Sequence, residues 1–181
     1  MHLKIPYGLS NFKQVISEGY TYVDKTAYIA KLEDAGRHLF LMRPRRFGKS
    51  LLLSAMEYYY DVGCKDDFDA LFSNLYIGKH PTPLKNSYQV LFMEFSGIDT
   101  DRGLDSIYLA FDRKIANALQ TFLQRYGYPA DTHHLIEAEP TPQSRMEAFF
   151  RVVSGQKLLL LIDEYDHFAN AILSQDLTLF Q

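Results

Sequence analysis

Two short stretches of this chain carry side chains whose types and spacing could do chemistry. The first runs RPRRFGKS from Arg43 to Ser50 and leads straight into the apolar run LLLSAM. Its Gly48-Lys49-Ser50 ending matches the close of the pattern G-x-x-x-x-G-K-[ST]. There the glycines let backbone N–H groups approach phosphate, the lysine reaches the outer phosphates and the hydroxyl is a ligand for Mg²⁺. A helix that starts at this point adds its N-terminal N–H groups and its dipole to an anion site. The place of the pattern's first glycine is taken by Arg43, and Pro44 then stiffens the chain. Arg43, Arg45 and Arg46 gather positive charge around the turn. The candidate nucleotide contacts are therefore Arg45, Arg46, Phe47, Gly48, Lys49, Ser50 and Leu51. The competing reading is an ordinary basic turn.

The second stretch, KLLLLIDE, is an apolar run from Lys157 that ends in Asp163 and Glu164. A continuous apolar run of this length suits a parallel strand buried on both faces. Ligands of open α/β sheets bind beyond the carboxyl ends of strands, where this acidic pair would lie. Asp163 is the candidate to hold Mg²⁺ together with Ser50, and Glu164 is placed to orient and activate an attacking water. The competing reading is a pair of solvated acids favouring the start of the next helix. Two such motifs in this order support each other.

The elements that must position these residues follow from periodicity. HLFLM, residues 38–42, has the length of a strand feeding the turn. KSLLLSAMEYYYDV reads as a helix, with Leu51, Leu52, Ala55, Met56 and Tyr59 at helical spacing. Upstream, Ser10 is the expected cap of a short helix through Phe12, Val15 and Ile16. Asp24 or Thr26 is the expected cap of another, carrying Tyr28, Ile29 and Leu32 and stopped by Gly36. A short helix is expected over Asp66–Phe72, a strand over YQVLFMEFS, a long helix over Gly103–Tyr126 and a further helix over about Gln143–Val153. GYPADTHH reads as a break, with His133 and His134 in a loop. The order strand, helix, strand, helices, strand predicts an α/β domain with a parallel sheet.

Bulk properties narrow the classes. The 181 residues are 47% hydrophobic, enough for a real core, and carry a net charge of -3. A chain built mainly to grip nucleic acid is usually basic, so this balance runs against that role. The single cysteine, Cys64, cannot form an internal disulfide, and a cytoplasmic setting is the default. The apolar run Leu158–Ile162 is far too short to span a bilayer, so no membrane partner is expected. Tyr7, Tyr22 and Asp24 could fold over a base, although packing and turn capping are favoured. Tyr58, Tyr59 and Tyr60 read as packing.

In the stretches IPYGLSNFKQVISEGYTYVDKT, FLMRPRRFGKSLLLS and LLLLIDEYD the chain resembles the AAA-ATPase-like family. The resemblance implies a P-loop NTPase core, a mostly parallel sheet flanked by helices, in which Arg43 is normal for an RPRRFGKS loop. It puts Lys49 and Ser50 on the phosphate-loop pair, Asp163 on the Mg²⁺ acid and Glu164 on the catalytic base, with ATP and Mg²⁺ as cofactors. Members of this kind usually continue into further strands, a sensor residue and often a nuclease-like domain of the PD-(D/E)XK type. The expectation is therefore a single N-terminal portion, residues 1–36 as lead-in and 37–181 as a partial core truncated after the Walker B strand. Nucleic acid would then be a partner only through the absent domain, and a neighbouring copy could supply an arginine finger. Two alternatives stand: a non-catalytic nucleotide-sensing or nucleic-acid-binding module using RPRR, and a decayed, truncated pseudo-ATPase.

Overall fold

Rings and helix starts organise the N-terminal part of the chain. The computed structural model describes residues 3–42, 47–98 and 103–165, and the chain divides into two compact units, Met1–Gln89 and Val90–Gln181. In the first unit, α1 (Phe12–Ser17) begins where the Asn11 side chain accepts the Gln14 N–H at 2.9 Å. The cap is thus Asn11 and not Ser10, because the side chain three residues before Gln14 is the one within reach of its N–H. After it come α2 (Ala27–Asp34) and α3 (Lys49–Tyr60). A 3₁₀ helix (Val62–Asp67), α4 (Phe68–Phe72) and α5 (Tyr76–Lys79) complete the unit. The helix expected over Asp66–Phe72 is α-helical only from Phe68. Upstream of it, the Asp61 carboxylate accepts the Gly63 N–H at 2.7 Å and tightens the chain into the 3₁₀ turn.

Apolar spacing decided which face of α3 is buried. Leu52, Ala55, Met56 and Tyr59 all lie in the core. Phe12 stacks on Phe72 with ring centroids 4.9 Å apart and meets Tyr22 edge-on at 5.3 Å. The Phe12 N–H, an orphan of the first turn of α1, donates to Ser54 Oγ at 3.0 Å, so α1 is fastened to α3 by a buried bond as well as by apolar contact.

The segment HLFLM does not form a strand. Phe40 is 80% and Met42 85% exposed, and no described residue pairs with the segment in a ladder. Strand preference is mostly packing against cross-strand neighbours, so an apolar run without such neighbours has little reason to be a strand.

The second unit holds the sheet: β1 (Gln89–Glu94, its first residue at the unit boundary) beside β2 (Leu158–Asp163), two parallel strands. The connection between them runs through α6 (Leu104–Arg125), α7 (Ala130–Glu137) and α8 (Pro142–Val152). Leu91 and Met93 of β1 are buried with Ile115, Leu119 and Phe122 of α6 and Phe149 of α8. α8 starts with a reciprocal cap: Thr141 Oγ1 accepts the Ser144 N–H at 3.1 Å, and Ser144 Oγ accepts the Thr141 N–H at 3.2 Å. Arg145 of α8 pairs with Asp112 of α6.

Two readings need correction here. His133 and His134 lie on α7, not in a loop, because Pro129 sits at the cap just before the helix, where its missing N–H costs nothing. β2 is not buried on both faces: Leu160 and Ile162 are 38% and 40% exposed. The class is nevertheless α/β, with eight α-helices and a small parallel sheet among the described residues. No helix among them is long and apolar enough to cross a membrane.

Candidate nucleotide site

Gly48 stands at the N-cap of α3 with φ 76° and ψ 28°, a left-handed conformation. An L side chain in that conformation costs about 1–2 kcal/mol, so the residue type answers the backbone. The Gly48 carbonyl accepts the first intrahelical bond, from the Leu52 N–H at 3.0 Å. Lys49, Ser50 and Leu51 therefore fill the first turn, where backbone N–H groups have no helical acceptor and Gly48 has no side chain to cap them. The turn presents donors, a cationic side chain and a hydroxyl at one helix end.

Beside this end lies an open cleft of about 480 Å³. Its lining comes from three stretches of the chain: the lead-in residues Leu3, Ile5 and Pro6, then Thr21, Tyr22 and Val23, and then Phe47, Gly48, Leu51 and Leu52. Burial pushes the Tyr22 phenol up to about 12, helped by the negative charge of Asp24 and opposed by a hydrogen bond with the backbone at Lys25. Tyr22 thus offers a neutral ring to the cleft. Tyr7, by contrast, is 88% exposed and does not line it.

Lys25 also lines the cleft, and its Nζ donates to the Phe47 carbonyl at 3.3 Å. Its turn is held from the far side. Asp24 Oδ1 accepts both the Thr26 hydroxyl (2.6 Å) and the Thr26 N–H (2.8 Å). Asp24 Oδ2 accepts the Tyr76 N–H at 2.7 Å, and the buried Thr26 Oγ1 accepts the Ile77 N–H at 3.1 Å. Burial pushes the Asp24 carboxyl up, but the Thr26 and Tyr76 hydrogen bonds and the charge of Lys79 outweigh it. The net result lies below the ordinary carboxylate value. Asp24 is thus a turn cap facing α5, while Lys25 faces the loop. Sequence reasoning passed over Lys25. The available signal was a lone cation in the turn VDKT, between two residues already read as caps.

The acidic pair belongs to the second unit. Asp163 is buried at the end of β2, its Oδ1 accepts the Glu164 N–H at 2.9 Å, and its carbonyl accepts the Phe95 N–H at 3.1 Å. Glu164 has φ 56°, left-handed for a residue that is not glycine. Next to the pair, at the end of β1, Glu94 accepts the Ser96 hydroxyl. Among the described residues no group of three or more His, Cys, Asp or Glu side chains could hold a metal. An Mg²⁺ ion is commonly held by one or two protein oxygens plus substrate phosphates and water, and a hydroxyl such as that of Ser50 or a carboxylate such as that of Asp163 is each, taken by itself, an oxygen of that kind.

The structure brings Phe47, Gly48, Lys49, Ser50 and Leu51 together in the first unit, and Asp163 and Glu164 together in the second. Arg43, Pro44, Arg45 and Arg46, as well as Asp166 and His167, lie outside the described residues.

The family model described as "Predicted AAA-ATPase" matches residues 6–181, and the chain belongs to this AAA-ATPase-like family. The chain is also 30% identical, over 168 residues, to an uncharacterized protein in the vnfD 5' region of Azotobacter chroococcum mcd 1. That match covers 90% of this chain and 29% of the relative, so the chain spans less than a third of the relative's length. No solved structure matches the chain.

Proposed function

We propose that this chain binds Mg-ATP at the start of α3 and, together with the acids at the end of β2, forms an ATPase centre on a P-loop NTPase core. The observation that carries this reading is Gly48: a left-handed glycine that opens α3 with Lys49 and Ser50 in its first turn. Membership of the predicted AAA-ATPase family supports it.

Each residue then has a role. The N–H groups of the first turn of α3 bind phosphate oxygens, and Lys49 Nζ balances the charge of the outer phosphates. Arg45, Arg46, Phe47 and Leu51 complete the contacts around the nucleotide. Ser50 Oγ and the Asp163 carboxylate would hold Mg²⁺, which supplies charge neutralisation at the phosphate oxygens when bound. Asp163 is steadied for this by burial and by its bond from the Glu164 N–H. The Glu164 carboxylate orients the attacking water and takes its proton. In a longer protein, turnover would act as a switch or motor step for a partner, with an arginine finger supplied by a neighbouring copy.

Calorimetry of Mg-ATP on the folded chain tests the reading, beside Lys49→Ala and Glu164→Gln. The expected result is micromolar binding, lost in Lys49→Ala and kept in Glu164→Gln. Glu164→Gln preserves shape while removing the base, so it should slow turnover without loosening the nucleotide. Absence of binding by folded wild type, or binding indifferent to Lys49→Ala, would overturn it.

A further inference from the structure

We propose that Lys25 is a second cation of the phosphate site, and that the cleft it shares with Ile5, Tyr22 and Val23 seats the nucleoside half of the same ligand. This inference rests on the nucleotide reading of the loop and extends it to residues outside the motif.

Three observations carry it. First, position: Lys25 Nζ lies 3.3 Å from the Phe47 carbonyl and 3.6 Å from where a Cβ on Gly48 would sit. The ammonium therefore stands directly over the turn that opens α3. An ammonium has three donors, and one bond to a carbonyl leaves the others for phosphate oxygens. Second, the backbone on either side of Lys25 is tied down. Asp24 and Thr26, on either side of Lys25, are both tied to the first N–H groups of α5. A cation held by its own backbone gives up less freedom when it meets an anion.

Third, the open cleft has the volume for a small molecule and a mostly apolar lining. Its 480 Å³ falls within the usual range for such sites, about 300–1,000 Å³. The lining is apolar apart from Thr21, the Tyr22 hydroxyl and Lys25, and it includes Phe47, Gly48 and Leu51 at the start of α3. A ligand with phosphates on α3 has its uncharged end next to this cleft. Ile5 and Val23 are 68% and 71% exposed, so they have apolar surface for a planar group to cover. Tyr22 keeps a neutral phenol, so no phenolate repels the phosphates.

The test must separate a cation that meets phosphate from a lysine that merely props the loop. Mg-ATP affinity is measured at low and at high salt for wild type, Lys25→Ala, Lys25→Met, Lys25→Arg, Val23→Glu and Lys49→Ala, with the folded state of each checked by its melting temperature. A charge contact is screened by salt, whereas a propping bond to a carbonyl acts through shape. The expected result at low salt is a loss of about tenfold in Lys25→Ala and Lys25→Met, as for one charge-assisted hydrogen bond. The deficit should shrink at high salt, and Lys25→Arg should stay within about threefold of wild type because it keeps the charge. Val23→Glu should weaken binding too, since it sets a carboxylate in the apolar wall. A folded Lys25→Ala that binds like wild type, or a deficit equal at both salts, overturns the role of Lys25 while leaving the loop reading intact. Val23→Glu without effect overturns the nucleoside seat. If wild type does not bind, or Lys49→Ala binds normally, the nucleotide reading itself fails and this extension with it.

Discussion

Two residues, one in each compact unit, share one uncommon backbone conformation and reach it differently. Gly48, ahead of α3, has φ 76°; Glu164, after β2, has φ 56°. For Gly48 the left-handed region is open without steric penalty, and the residue brings no chemistry of its own. Glu164 adopts the same region with a full side chain, at a cost that the surrounding structure must outweigh. Its N–H is held by the Asp163 carboxylate, and Asp163 is fixed in turn by the bond from the Phe95 N–H. Where only geometry is required, the position holds glycine. At 164 a full side chain occupies the same region, and the strain remains. Asn86, at φ 47°, is the other non-glycine case among the described residues. There the side-chain amide donates to the Asp61 carbonyl at 2.8 Å, so that conformation serves a turn.

The largest expected effect tests whether a glycine near the loop must be conformational. Gly78 on α5 is not: a Cβ there would lie 1.8 Å from the Phe72 carbonyl oxygen, a backbone atom that cannot rotate away. Gly78→Ala should therefore destabilise by about 3 kcal/mol, the upper end of overpacking, measured by urea unfolding. Because α5 anchors Asp24 and Thr26, nucleotide affinity should fall with it. A loss under about 1 kcal/mol would mean that α5 shifts freely and is no rigid mount.

Gly48→Ala comes next and is conformational. Among the described residues, an added Cβ would meet Lys25 Nζ at 3.6 Å, an ordinary contact. The expected loss is about 1–2 kcal/mol, with weaker Mg-ATP binding as the turn relaxes. At Glu164 the sign reverses. Glu164→Gly should be more stable than Glu164→Ala by about 1 kcal/mol, because glycine relieves the strain that alanine keeps. Both variants should lose hydrolysis. If alanine is as stable as glycine at 164, the left-handed backbone there carries no strain and the contrast with Gly48 collapses.

How much of this could be read beforehand depends on how local each feature is. α3 was legible because the spacing of Leu51, Leu52, Ala55, Met56 and Tyr59 is internal to one helix, and all but the half-buried Leu51 are buried. β1 and β2 were legible as strands by length and composition. HLFLM is likewise a short apolar run of strand length and is not a strand, since a strand depends on a partner that composition does not reveal. α7 was missed because Gly127 and Pro129 look like a break, although proline just ahead of a helix favours its start. Lys25 was missed for a different reason. Its contact with Phe47 joins residues 22 apart, and that contact depends on α5, about fifty residues further along, holding the turn from behind.

The smallest effect concerns that turn, and its sign can be worked out. The native Asp24 carboxyl titrates below its ordinary value of 3.8, because hydrogen bonds from Thr26 and Tyr76 and the charge of Lys79 together exceed the opposing effect of burial. As pH falls through this window, the unfolded chain takes up the proton before the folded one does. The stabilisation from Asp24 is therefore complete above about pH 4 and is lost as pH falls towards the lowered native value. Asp24→Asn should be less stable than wild type at pH 6, with a shallower decline in urea midpoint between pH 5 and pH 3. Thr26→Val, which removes the hydroxyl bond but keeps the carboxylate, should fall between the two. Parallel declines in wild type and Asp24→Asn would assign the acid sensitivity to other carboxylates. The turn carrying Lys25 would then be held by packing of α5 and not by the charge on Asp24.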